Sequence, residues 1–203
     1  MIILVATRFT VIEKDWCTNM DIFDCINKRR SIRKYKNLEV EKEKIDLLIK
    51  AGMAAPSACN RQPWEFIIIT DDKVLTELRE GMQFARYNAP VAIVVCGNTK
   101  LGKGVDAWDK DCSAAIENIL LAATGLELGS IWIGIHGLPA AEKISSRVLN
   151  IPKYVIPFGM VYIGYPDEEK GIRAQYNEKR VYWQKYDQSR KHKARPKDLK
   201  HKA

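Results

Sequence analysis

Apolar and polar residues change period several times along the chain, and each change marks an element. Residues 20–30, MDIFDCINKRR, place Ile22, Phe23, Cys25 and Ile26 at helical spacing and end in charge. Ile45, Leu48, Ile49 and Gly52 follow the i, i+3, i+4, i+7 pattern. The helix they predict stops before Pro56, because proline pushes the residue ahead of it out of helical geometry. WEFIIIT, residues 64–70, reads as a buried strand, and Asp71 or Asp72 can cap a helix whose Val74, Leu75, Leu78 and Met82 share a face. VAIVVC (91–96), IWIGI (131–135) and PFGMVYIGY (157–165) are three further strands. Between them lie a helix from Asp111 to Leu128, apolar on most sides and expected to stop at Gly129, and a second over 139–150 with Pro139 in its first turn.

Helices and strands alternate irregularly, with no internal repeat and no low-complexity linker. This predicts an α+β architecture, a mixed central sheet flanked by helices, over residues 20–186. Residues 1–19 show no clean periodicity and form a leader of uncertain structure, with Met20 an alternative start. Residues 187–203 are expected to be a disordered basic tail.

At 203 residues and 46% hydrophobic, the chain can bury one sizeable core. No apolar run approaches the roughly 18 residues of a membrane span. Cys17, Cys25, Cys59, Cys96 and Cys112 form no C-x-x-C pair and have no partnered histidines, which argues against a zinc or iron–sulfur site and for reduced thiols in a cytoplasm. The net charge of +8 raises the possibility of nucleic-acid binding. The tail, however, holds seven lysines and arginines against two aspartates, so most of the excess sits there as a solvated run, without interleaved aromatics.

Two stretches could do chemistry. RRSIRKY, residues 29–35, sets three arginines around one serine. Guanidinium forks pair bidentately with phosphate oxygens, and Arg29 and Arg33 would converge on one dianion if the preceding helix continued through them. PSACNRQPW, residues 56–64, is a stiff polar loop between a helix stop and a strand start. Taken singly, each is also ordinary turn chemistry.

Taken with DCSAAIENILLAATGLELGSIWIGIHGLP, FGMVYIGYP and YNEKRVYW, in this order and spacing, they give a chain that resembles the nitroreductase family of FMN-dependent oxidoreductases. The resemblance implies a homodimer with FMN at the subunit interface and NADH or NADPH as co-substrate. By that resemblance Arg29, Arg30, Ser31 and Arg33 hold the FMN phosphate and ribityl chain, and Pro56, Ser57 and Asn60 reach the flavin from the other subunit. The backbone at Ile133 and Gly134 lines the ring near N5, Arg180 with Lys179 closes from the C-terminal arm, and Gln83 is a weaker candidate. A glycine at 134 would let backbone N–H approach the ring. No catalytic side chain is implied, because the cofactor supplies the hydride chemistry.

The implied acceptors are nitroaromatics, quinones or similar electron-poor molecules, reduced by a ping-pong mechanism. A specialised member such as a flavin-dependent dehalogenase is the alternative within the family, and a basic nucleic-acid-binding module the alternative outside it. His136 could touch a substrate or donate a proton but reads first as a packed loop histidine, Trp108 and Trp132 as core or interface residues, and Asp111 as a helix-start residue.

Overall fold

The computed structural model describes residues 20–101, 106–172 and 176–190. The leader and the last thirteen residues of the basic tail lie outside the described residues. The chain divides into two compact units, Met1–Ile172 and Arg173–Ala203.

The first unit is built around four strands, β1 (Trp64–Ile69), β2 (Val91–Asn98), β3 (Gly129–Gly134) and β4 (Val155–Gly164), in spatial order β1-β2-β4-β3. The three ladders between them are antiparallel. Among the described residues the one parallel contact is an isolated bridge from Ser31 to Ser130. Five helices surround the sheet: α1 (Ile22–Lys28), α2 (Lys42–Met53), α3 (Asp72–Gly81), α4 (Trp108–Gly125) and α5 (Pro139–Val148).

Period-two alternation sorts the strand residues into two cores. Val91, Ile93, Val95, Val161 and Ile163 face α2 and α4, meeting Ile45, Leu48, Ile116 and Ile119. Ala92, Val94, Met160, Tyr162, Ile131, Ile133 and Ile135 face the other way, against Leu75 and Leu78 of α3 and Ala141 of α5. β2 is buried along its whole length, which is why VAIVVC is apolar without alternation.

Local chemistry sets the boundaries. The Asp71 carboxylate accepts from the Lys73 and Val74 N–H groups and caps α3. α4 begins at Trp108, three residues before the expected start, and ends at Gly125 rather than running to Gly129. Glu127 takes the left-handed turn beyond it, at φ 58°, and Gly129 opens β3 instead. α1 ends at Lys28, so the helix does not continue through the arginines. No helix among the described residues is long and apolar enough to cross a membrane. The second unit contains a short 3-10 turn, Glu178–Arg180, and a stacked pair, Tyr182 and Tyr186, with ring centroids 4.3 Å apart.

Candidate functional site

The arginine segment is extended backbone strapped to the edge of the sheet. Ile32 N–H donates to the Ser130 carbonyl at 2.9 Å and Lys36 N–H to the Tyr165 carbonyl at 2.9 Å, so residues 31–36 run beside β3 toward the end of β4. The chain after β4 clamps the strap from outside. Lys170 Nζ donates to the Ser31 carbonyl at 2.7 Å and pairs with Glu168 at 2.9 Å, Glu168 accepts the Arg33 N–H, and Arg30 Nη1 donates to the Gly171 carbonyl. Burial, the strongest single influence, pushes the Glu168 carboxyl up. The N–H groups of Arg33 and Lys34 and the Lys170 ammonium together outweigh it and hold the carboxyl below the ordinary glutamate range.

Because α1 stops at Lys28, Arg29 and Arg33 do not converge by helical geometry. Arg29 caps α1 and reaches Glu117 of α4 at 3.5 Å, while Arg33 Nη1 lies 3.4 Å from the Ser31 carbonyl. The cations are brought together as a row along an extended strap, with Lys170 added to it. Lys170 and Glu168 escaped sequence reasoning because DEEKG after a strand reads as any solvated charge run.

The loop from Pro56 to Gln62 is held by a network of its own. Ser57 Oγ accepts from the Gln62 N–H at 2.9 Å, and Asn60 Oδ1 from the Gln62 side chain at 3.2 Å. Cys59, Asn60 and Gln62 all take left-handed backbone, at φ 52°, 51° and 49°, a costly set for non-glycine residues. Asp111 anchors the loop: its buried carboxylate, in the first turns of α4, accepts the Ala58 N–H at 3.0 Å. The next residue, Cys112, is no nucleophile, since burial pushes its thiol up to about 12.

The start of α4 also joins this loop to the end of β3. Trp108 packs edge-on against Phe158 of β4 at 5.9 Å, and Phe158 against Trp132 of β3 at 5.9 Å. Glycines make room for these rings: a Cβ at Gly97 would lie 2.2 Å from Trp108 and one at Gly159 2.5 Å from Trp132 Nε1. Gly134 differs, because a Cβ there would meet nothing within 4 Å. It sits on the exposed face of edge strand β3, about 13 Å along the strand from Ser130, where the arginine strap attaches.

The predicted residues therefore fall into groups. Arg29, Arg30, Ser31 and Arg33 line one end of β3, and Ile133 and Gly134 form its other end, Ile133 turned into the core. Pro56, Ser57 and Asn60 connect to that end through α4. Gln83 is exposed in a short turn after α3, whose neighbours Met82 and Ala85 belong to the core on the α3 side. Lys179 and Arg180 lie in the second unit's 3-10 turn. A separate groove of about 690 Å³, lined by Val40, Glu41, Ile45, Ile68 and Val91, opens at the other end of β2. Its lining includes none of Arg29, Arg30 and Arg33.

Comparison with known proteins gives one consistent result. The sequence model of the Nitroreductase family matches residues 26–83 and 74–165. A protein of Methanothermobacter thermautotrophicus, provisionally named an NADH dehydrogenase/NAD(P)H nitroreductase, is 39% identical over 171 residues, covering 83% of this chain and 90% of its own. A crystal structure from Parabacteroides distasonis with the same provisional name superposes at TM-score 0.78 with 42% identity, covering 81% of this chain and 98% of that one. An FMN-dependent nitroreductase from Clostridium difficile superposes at 0.74 with 36% identity, covering 80% and 98%.

Proposed function

Since the chain belongs to the nitroreductase family, we propose that it works as an FMN-dependent NAD(P)H oxidoreductase, a homodimer that reduces nitroaromatic, quinone or similar electron-poor acceptors. The observation that best supports a flavin site is the contrast among the glycines. Gly97 and Gly159 are filled by indole rings, whereas Gly134 leaves bare backbone facing open space at a strand edge. A flat ring can lie against such a surface, and any side chain there would hold it off.

The residues fit the cofactor's charge pattern as well. Arg29, Arg30 and Arg33, with Ser31 and Lys170, offer the fixed positive charge a phosphate needs. Pro56, Ser57 and Asn60 sit on a loop strained and anchored enough to present its polar atoms rigidly, on this reading to the partner subunit's flavin. When bound, FMN supplies the hydride chemistry. This chain's own residues would bind the phosphate and offer the bare backbone at Gly134 to the ring. NADH or NADPH and then the acceptor would bind in turn, a ping-pong sequence.

Titrating flavin-free protein with FMN tests the reading. One FMN should bind per chain, and Arg33→Ala should weaken binding about tenfold or more, the loss of a charge-assisted contact worth about 1.5 to 3 kcal/mol. Equal affinity in the variant would remove Arg33 from the site.

A further inference from the structure

His136 lies just past the end of β3. Burial alternates here: Ile131, Ile133 and Ile135 are in the core with α3 and α5, whereas Trp132, Gly134 and His136 are exposed on the opposite face. His136 N–H donates to the Phe158 carbonyl at 2.9 Å, and its ring lies 6.3 Å from Phe158 and 4.9 Å, edge-on, from Trp108. The imidazole thus stands on the rim of the bare surface at Gly134, about 7 Å along the chain from it.

α5 supplies its partner. Gly137, at φ 82°, turns the chain back so that Glu142 Oε1 takes both His136 Nδ1, at 2.9 Å, and the Gly137 N–H, at 2.8 Å. An acceptor at that position selects the tautomer protonated on Nδ1. Nε2 is left as the ring's exchangeable position, with no hydrogen-bond partner among the described residues. Glu142 is the charged group that reaches the imidazole; α4 contributes Trp108 and β4 contributes Phe158, both uncharged. The side chain is 41% exposed, so solvent can restore a proton given away.

We propose that His136 is a catalytic proton donor to the acceptor, with Glu142 as its positioning residue. The proposal rests on the flavin reading above. A quinone-type acceptor takes one hydride, with its electron pair, from the reduced flavin. The hydride bonds to one carbonyl oxygen, both carbonyl π bonds are lost as the ring becomes aromatic, and the other oxygen is left as an oxyanion. The Nε2–H bond of the imidazolium breaks, a new O–H bond forms on that oxygen, and the hydroquinone leaves a neutral His136 that water reprotonates.

The test uses holoenzyme, benzoquinone and the variants His136→Gln and Glu142→Gln. His136→Gln should keep its flavin and its rate of reduction by NADPH, while reoxidation by benzoquinone slows about 100-fold. Unchanged reoxidation, or a raised KM with unchanged kcat, would overturn the proposal. If the unmodified protein binds no FMN, it is the flavin reading that fails. Imidazole ¹⁵N shifts decide independently of activity and of how the variant folds. His136 should be Nδ1-protonated when neutral and a tautomer mixture in Glu142→Gln, and an Nε2-protonated ring in the unmodified protein would sink the proposal.

Discussion

Single residues divide here into those that keep the fold and those that keep a surface open. Gly97 and Gly134 both sit in strands, yet a methyl at Gly97 would strike the Trp108 ring, and one at Gly134 would touch nothing. Gly97→Ala should therefore cost about 1 to 3 kcal/mol in chemical denaturation, an overpacking penalty. Gly134→Ala should leave the flavin-free protein's stability within about 0.5 kcal/mol while weakening FMN binding. A Gly134→Ala protein that binds FMN normally would move the ring away from β3. Both glycines were visible in the sequence, but their different roles were not, since those depend on which ring from another element fills the space. Phe158, which joins Trp108, Trp132 and His136 into one cluster, was hidden for the same reason inside an apolar strand.

Among the elements, those with a strong period were legible. Four strands and five helices appear where apolar spacing put them, because burial on a sheet or helix face imposes that spacing. What spacing could not show was the arginine strap. Helical spacing would bring Arg29 and Arg33 together only if the helix continued through them, but α1 ends at Lys28 and the strap takes its hydrogen bonds from β3 and the segment after β4. That clamp makes a pH prediction. The Glu168 carboxyl is held below its ordinary range in the folded chain, so its ionised form adds stability above that range and loses it as pH falls. Glu168→Gln should be less stable than the unmodified protein by about 1 kcal/mol at neutral pH. The gap should close below about pH 4.3. A gap that persists at low pH would mean that packing, not charge, fixes the strap.

For the whole molecule, the face of α1 is the open question. Ile22, Phe23 and Ile26 are 58%, 72% and 50% exposed, an apolar stripe that a lone chain would leave in water. The homodimer proposed above would cover such a surface if its interface includes α1. Phe23→Asp should then shift the protein toward monomer in sedimentation and lower its flavin content together. A dimer unaffected by that charge would place the interface elsewhere. The most direct measurement of the central claim is the absorbance spectrum of the purified protein, recorded without oxygen before and after NADPH. A bound oxidised flavin should be present, with visible bands that bleach on addition. A colourless protein that takes up no FMN, or a bound flavin that neither NADPH nor NADH bleaches, would contradict it.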